Sequence, residues 1–435
     1  MNRGKIIKKN LSLGLLFKIL NMGIVYFTIP FLLQYLGNEN YGVWVTVFSI
    51  INILFFVDAG IVNGLKTKLS LALSLGKQKI AQEYISTAYI SIFSISILFF
   101  LVGFFVIQNV NLTNLLNTEN GITEDNLKQV FLITLIFVVF NFFLSIYKSL
   151  YYAVNKSAKV ELSLLLYQLI IFCLVYYSLQ NLQSSLQNVA IYYGMSNLII
   201  SVLFSYFFFR KRQHLVPSFT FFNKNIIKEL MSLSIDFFII QLSMIVIFTT
   251  DNILISNLLG PKEVTNYDVV LKLFQVLITI SFIILDPFWA LFSDAFQKKD
   301  FIWIKATIKR LNKLFIILLF SVVVLVYISP KIIALWIGEN IQVNQALVYS
   351  MGVFVIVRVY GAIYMYFLNG IGEIKLQKWL YIFGAIINIP ISIILVKYYH
   401  LGTSGIIIGT IISILANTII LPIQTNKILK KIEYS

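Results

Sequence analysis

Long apolar runs recur from one end of the chain to the other, and they restrict its fold more than any other feature of the sequence. Each run has about twenty residues, the length that an α-helix needs to cross the hydrocarbon core of a bilayer. Of the 435 residues, 59% are hydrophobic and only 12% are charged, too few to cover the surface of a soluble protein of this size. The alternating pattern of an outer-membrane barrel is missing. We therefore predict an all-α, polytopic membrane protein.

The apolar runs predict about twelve transmembrane helices. The first six cover residues 11–36, 41–64, 84–107, 128–153, 162–179 and 189–209. The other six cover residues 230–258, 264–292, 314–337, 346–369, 376–396 and 405–423. A polar, basic linker at residues 210–228 lies near the middle of the chain. It predicts two six-helix lobes, an N-terminal lobe over residues 1–215 and a C-terminal lobe over residues 216–435.

Lysine and arginine are distributed unequally between the two sets of helix ends. Most of the 34 lie at the termini and in alternate loops, whereas the opposite loops carry only Lys262, Lys331 and Lys397. By the positive-inside rule, this bias predicts that both termini are cytoplasmic and that the first helix is not cleaved. The net charge of +16 then reflects topology and attraction to anionic lipid in the bilayer, which argues against nucleic-acid binding.

Two stretches of similar sequence occur in the two halves of the chain. Leu36-Gly37 is followed by Asp58 near the inner end of the second predicted span, and Leu259-Gly260 by Asp286 near the inner end of the eighth. An offset of six helices preserves orientation, so we predict parallel repeats related by an axis along the membrane normal. Two such lobes around a central cavity are typical of transporters that work by alternating access.

Several motifs are concentrated near the N-terminus and between residues 259 and 313. They are Leu36-Gly37, Tyr41-Gly42-Val43-Trp44, Asp58-Ala59-Gly60-Ile61-Val62-Asn63-Gly64, Ile85-Ser86-Thr87-Ala88, Leu259-Gly260-Pro261, Asp286-Pro287-Phe288-Trp289-Ala290 and Asp294-Ala295. From about residue 11 to residue 423, the chain resembles Wzx-type O-antigen flippases, in the polysaccharide-transport branch of the multidrug/oligosaccharidyl-lipid/polysaccharide (MOP) exporter superfamily.

This resemblance implies a MATE-like fold with two lobes. It also implies transport of an undecaprenyl-pyrophosphate-linked oligosaccharide, the repeat unit of an O-antigen or capsule, across the bacterial inner (plasma) membrane. A complex with a polysaccharide polymerase is a further implication. The resemblance does not specify the sugar unit, because sugar specificity comes from scattered cavity residues.

The sequence contains no constellation for bond-breaking chemistry. Gly-rich phosphate loops, nucleophile elbows and His/Cys ligand spacings are missing. The single cysteine, Cys173, and the two histidines, His214 and His400, form no metal cluster. We therefore predict a protein that is not an enzyme and that uses no cofactor or metal. Its task would be to replace the water around a charged head group with cations and hydrogen-bonding side chains.

Four cations inside the predicted spans are the predicted substrate-binding residues, because an embedded cation is costly without a partner. Arg358 is the deepest, and its guanidinium either binds pyrophosphate oxygens or forms a structural ion pair with an aspartate. Lys272 either faces the same cavity or pairs with Asp268 one turn earlier. Lys18 and Lys148 either line an inward-facing mouth or extend to the cytoplasmic surface.

Three acids are predicted to take part in ion coupling or in ion pairs. Asp251 is the deepest, which makes it the best candidate for a proton or sodium site. Its alternative role is as the partner of Arg358 or Lys272. Asp58 and Asp286 lie near the predicted cytoplasmic edge, where pairing with basic loops to pin helix ends is the favoured role.

Two other functions fit part of the pattern. A MATE-type drug/cation antiporter is expected to have an acidic cavity with few embedded bases, whereas this chain has several. A membrane glycosyltransferase or polymerase acting on the same lipid often needs a large outer loop with catalytic residues. The longest predicted outer loop, residues 108–127, is short and has no arginine or histidine. A lipid II flippase is a third alternative, in the same class as the leading interpretation.

Overall fold

The structure is a computed structural model that describes residues 3–53, 61–118, 122–231, 235–338 and 344–433. Within these ranges the regular structure consists of helices, with no strand. The chain divides into two units, Met1–Ile235 and Asp236–Ser435. In a bilayer core no water satisfies backbone N–H and C=O groups, and a helix satisfies them within itself. The helical fold therefore follows from the apolar composition.

Unit 1 contains nine α-helices and two short 3₁₀ turns among its described residues. The helices are α1 Arg3–Asn52, α2 Ile61–Ser74, α3 Gln78–Asn109, α4 Leu112–Leu116, α5 Glu124–Leu144, α6 Tyr147–Ala153, α7 Ser157–Asn181, α8 Leu186–Arg210 and α9 Lys224–Met231. The 3₁₀ turns are Gln213–Leu215 and Phe219–Phe221. Helix α1 packs mainly on α7, and α5 packs on α8 and α3.

Unit 2 contains six helices among its described residues, and five of them are longer than twenty-three residues. They are α10 Ile235–Leu259, α11 Pro261–Gln297, α12 Phe301–Ile337, α13 Gln345–Ile371, α14 Lys375–Lys397 and α15 Gly402–Glu433. Helix α13 packs against α11, α12 and α15, and α14 packs against α15. Helix α13 is therefore surrounded by neighbours on several sides.

Eleven helices of the described chain are long and apolar enough to cross a membrane. The first candidate span, Ser12–Ile51, has 40 residues, which is about twice the length that one crossing needs. Gly37 interrupts it with a non-helical conformation, at φ 75° and ψ 167°. Divided at Gly37, this span corresponds to the first two predicted spans. The prediction of an all-α, polytopic protein with about twelve spans is confirmed.

The two Leu-Gly pairs of the predicted repeat share one backbone conformation. Gly260, between α10 and α11, has φ 94° and ψ 162°, close to the values at Gly37. Positive φ is readily available only to glycine, because a Cβ would clash there. Each glycine therefore ends one helix and lets the next start in a new direction. This common geometry supports the relation between the two halves.

Large apolar side chains cover the outer faces of the long helices. Leu335 is 89% exposed and Ile317 is 62% exposed, both on α12. Contiguous exposed apolar surface of this kind is unfavourable in water and favourable in lipid. Polar helix termini carry caps instead: Asp300 accepts a hydrogen bond from the amide of Trp303 at 3.0 Å at the start of α12. The protein is thus a multi-pass membrane protein.

The predicted outer loop at residues 108–127 contains a short helix, α4. Its first amides, those of Leu112 and Thr113, donate to the carboxylate of Glu124 at 3.0 and 2.9 Å. Glu124 also pairs with Lys128 at 3.7 Å. A carboxylate at a helix N-terminus satisfies amides that have no partner within the helix. Lys128 is thus held at the beginning of α5.

Gly384 allows α14 to approach α15 closely. A Cβ at this position would lie 2.3 Å from the carbonyl oxygen of Ser413 on α15. We expect Gly384→Ala to push the helices apart at a cost of about 1–3 kcal/mol, and to lower the Tm of the detergent-solubilised protein. Gly23→Ala is the matched control, because its Cβ would meet no atom within 4 Å. An unchanged Tm for Gly384→Ala would contradict the close approach.

Candidate functional site

Arg358 lies at the middle of α13, and aromatic rings surround its guanidinium. The carbon at the centre of this group is 4.0 Å from the centroid of the Phe248 ring, 5.5 Å from that of Phe354 and 5.7 Å from that of Phe282. Among the described residues, no carboxylate lies within ion-pair distance of Arg358. Cation–π contacts stabilise a desolvated guanidinium by about 2 kcal/mol, and they leave its N–H groups available to an anion.

A small cavity beside Arg358 contains further polar groups. Its volume is about 20 Å³, and Tyr381, Asn417 and Thr418 form part of its wall. Both polar atoms of the Asn417 amide are buried and make no hydrogen bond within the described structure. The cavity has room for about one water molecule. A pyrophosphate group would therefore fit only after the surrounding helices move.

Asp251 is buried in the same unit, where hydroxyl groups hold its carboxylate. Tyr267 donates to Oδ2 at 2.6 Å, and Thr410 lies 3.0 Å from Oδ1 and 3.2 Å from Oδ2. Asn388 donates to Thr410 at 3.3 Å and so extends the network. The partners of Asp251 come from α11 and α15, and Asn388 from α14. Neither Arg358 nor Lys272 forms an ion pair with Asp251 in the described chain.

Lys272 has its own partner. It pairs with Asp268 at 3.0 Å, four residues earlier on α11, where the carboxylate is buried and the ammonium is partly exposed. This is the pairing that the sequence offered as an alternative to a cavity role. Asp286 accepts a hydrogen bond from the hydroxyl of Tyr366 on α13. Asp58 lies outside the described residues.

Lys18 and Lys148 share an acid in unit 1. Both interact electrostatically with Glu161 near the start of α7. Lys18 comes from α1 and Lys148 from α6, so three helices bring these charges together. One carboxylate between two ammonium groups leaves a net positive charge. This arrangement attracts an anion more strongly than a closed ion pair does.

Lys148 lines a larger cavity, which lies within unit 1. Its volume is about 590 Å³, and its wall includes Trp44, Asn141, Tyr193 and Asn197. The side chain of Lys148 is half-buried because it faces this space. Cavities of about 300–1,000 Å³ are typical of sites for small molecules.

A cluster of exposed and half-exposed cations lies where α7 begins and α8 ends. Its members are Lys156, Lys159, Lys211 and Arg212. Partial burial, reinforced by the three neighbouring cations, lowers the pKa of Lys156. No carboxylate contributes to this shift in the pKa of Lys156, which indicates a local excess of positive charge. The cluster provides attraction to anionic lipid head groups at this membrane surface.

Several residues of these sites were not predicted from the sequence. Glu161 directly precedes the predicted span 162–179, whereas α7 begins at Ser157 and includes it. Asn417 and Thr410 lie on an apolar helix with no local pattern that marks them. The charge of Glu161 next to a predicted span was a usable signal. Asn417 and Thr410 have no such signal in the sequence.

These sites are built for binding. Among the described residues, no group of three or more His, Cys, Asp or Glu side chains has a metal-binding arrangement. The polar groups that the structure describes at these sites are cations, amides and hydroxyls, together with the hydroxyl-bound Asp251 and the acids that pair with lysines. Such groups replace the hydration of an anionic or polar ligand without breaking a bond.

A family model described as "Polysaccharide biosynthesis protein" matches residues 7–292, which is more than half of the chain. Curated protein sequences give no significant match.

Solved structures of membrane transporters are similar over nearly the whole chain. The inward-facing conformation of a multidrug resistance MATE family transporter of the MOP superfamily has a TM-score of 0.80 at 16% identity, covering 99% of both chains. An outward-facing conformation gives 0.70 at 16% identity, covering 98% of this chain and 96% of that one. A MOP superfamily transporter from Pyrococcus furiosus, described as having a binding pocket of reverse polarity, gives 0.64 at 15% identity, covering 94% and 96%. At such identities the similarity shows the fold alone, which is MATE-like.

Proposed function

The chain belongs to the polysaccharide biosynthesis protein family, and we propose that it is a flippase for lipid-linked oligosaccharide. Its substrate is an undecaprenyl-pyrophosphate-linked repeat unit of O-antigen or capsule. The protein moves this unit by alternating access from the cytoplasmic to the periplasmic leaflet of the bacterial inner membrane. Both of its termini are cytoplasmic, and it breaks no bond. A polysaccharide polymerase would use the product.

The observation that carries this proposal is the Arg358 guanidinium, held by rings in the membrane interior without a carboxylate partner in the described chain. The guanidinium is already desolvated. An anion that binds there therefore does not add the free-energy cost of removing water from the arginine. A pyrophosphate group matches the guanidinium because two oxygens accept two parallel N–H bonds. The buried Asn417 amide next to it supplies a further donor.

The lysines contribute to different extents. Lys18 and Lys148, which share Glu161, supply positive charge for the head group in unit 1. Lys272 contributes less, because Asp268 already neutralises it at 3.0 Å. We assign Asp286 a structural role, in which the hydrogen bond from Tyr366 holds α11 to α13. A drug/cation antiporter would need a surplus of acidic groups where this chain has basic ones.

Asp251 is the proposed coupling residue for a proton or sodium ion. Its carboxylate has only hydroxyl partners in the described structure, so its negative charge is uncompensated. A buried carboxylate in this situation is stabilised when it takes up a proton or a cation. Binding and release of that ion would supply a driving force for transport.

Deletion of the gene in its host tests the function directly. We expect loss of surface polysaccharide, with single-unit lipid-linked intermediates trapped on the cytoplasmic leaflet, because synthesis continues while transfer stops. Leaflet-selective labelling of the lipid-linked sugar measures the trapping. Normal polysaccharide combined with new sensitivity to cationic dyes would instead identify a drug antiporter.

Replacement of Arg358 tests the proposed phosphate contact. We expect Arg358→Ala to slow export about 10- to 100-fold, since hydrogen bonds to charged groups contribute about 1.5–3 kcal/mol. Arg358→Lys should restore only part of the rate, because an ammonium lacks the bidentate geometry. The exposed Arg310→Ala is the matched control, and membrane levels of all variants are measured together. Full export by Arg358→Ala would refute the contact.

Asp251→Asn tests the coupling. The amide keeps the shape of the side chain but cannot release a proton, and it binds sodium weakly. In proteoliposomes we expect transport by this variant to become independent of an imposed proton or sodium gradient. Asp294→Asn is the control, because Asp294 forms an exposed pair with Lys298 at 2.8 Å. A gradient response equal to that of the wild type would assign Asp251 a purely structural role.

A further inference from the structure

The cavity of unit 1 has features that phosphate binding does not explain. Besides Lys148, its wall contains two amides, Asn141 and Asn197, and five aromatic side chains: Trp44, Phe48, Phe137, Tyr167 and Tyr193. None of the described residues in this wall is a carboxylate. A site for pyrophosphate alone needs cations and hydrogen-bond donors, so the rings and the amides point to another part of the ligand.

The rings are held in place by one another. Trp44 is 3% exposed, and its ring centroid lies 5.0 Å from that of Tyr193 and 5.5 Å from that of Phe48. Phe48 and Tyr193 are 5.7 Å apart, and Tyr193 contacts Tyr167 at 6.4 Å. Phe48 is 37% exposed, so its ring remains open to a ligand. The buried indole thus supports a fixed aromatic surface.

One amide in the wall lacks a partner for its acceptor atom. Asn141 is 2% exposed, and its Nδ2 donates to the carbonyl oxygen of Gly194 at 3.1 Å. Its Oδ1 is buried and accepts no hydrogen bond from the described residues. A buried acceptor without a donor is costly, so this atom favours a ligand with O–H or N–H groups. Asn197, one turn after Gly194 on α8, adds a second amide.

These features discriminate between ligand classes. A hydrophobic cation would stack on the rings, but Lys148 would repel it and no described carboxylate in the wall would attract it. A prenyl chain would leave the amides unsatisfied. A sugar ring has C–H groups on one face, which pack against the electron-rich face of an aromatic ring, and hydroxyl groups around its edge. It matches both features.

We propose that this cavity binds a sugar ring of the transported oligosaccharide. The ring stacks on Phe48 and Tyr193, and its hydroxyl groups bond to Asn141 and Asn197. Lys148, in the same wall, stabilises an anionic group of the same ligand. This inference rests on the proposed function and adds the place where the saccharide, as distinct from the lipid phosphate, is recognised.

The test compares two lipids with the full-length protein in nanodiscs. One lipid is the lipid-linked oligosaccharide extracted from host membranes, and the other is sugar-free undecaprenyl pyrophosphate. We expect the wild type to bind the glycosylated lipid more tightly. Phe48→Ala and Tyr193→Ala should each weaken its binding about tenfold through lost stacking and burial, while affinity for the sugar-free lipid is unchanged.

Two further variants complete the test. Tyr193→Phe keeps the ring and should retain most of the affinity, whereas Tyr177→Ala, which removes a 58% exposed ring elsewhere on α7, should change nothing. Unchanged affinity for the sugar-free lipid shows that a variant is folded. Equal binding of both lipids by the wild type, or equal weakening of both by Phe48→Ala, would overturn the sugar site alone. Failure of the wild type to bind either lipid would reject the proposed function as well.

Discussion

The free-energy cost of placing charge in hydrocarbon governs the arrangement of the polar side chains in this protein. Each embedded charge has a different partner: an acid for Lys272, aromatic rings for Arg358, hydroxyl groups for Asp251 and a shared acid for Lys148. Only the first of these is a closed ion pair. The other three charges have neutral or shared partners, and the proposed binding of a ligand or an ion depends on this property.

The fold could be predicted from the sequence because one constraint dominates it. Apolar runs of sufficient length must be helices, since every backbone group in lipid has to find its partner within the helix. The ends of helices were harder to predict, because they depend on local contacts such as the hydrogen bonds that the amides of α4 donate to Glu124. The breaks at Gly37 and Gly260 were recognisable as repeated Leu-Gly pairs, although their positive φ became visible only in the structure.

Only some contacts of the sites could be predicted from the sequence. Contacts between residues close together in the sequence were predictable, and contacts between distant residues were not. The pair of Lys272 and Asp268 is one helical turn apart, so its spacing alone offered the contact. The contact of Trp44 with Tyr193 joins α1 to α8, and no local pattern encodes such a pairing. Because a charge in lipid needs a compensating partner, the embedded cations could be recognised from the sequence. The neutral amides and rings that complete each cavity have no such signature.

The position of Arg358 also bears on how the chain enters the membrane during synthesis. A helix with arginine at its centre inserts with a penalty of about 2.5–3.5 kcal/mol. Translation proceeds from the N-terminus, so Phe248 on α10 and Phe282 on α11 are made before α13 emerges from the ribosome. Two of the three rings that contact the guanidinium are thus available as it arrives. The order of helices along the chain therefore favours co-translational assembly, with the aromatic acceptors inserted first and the charge second.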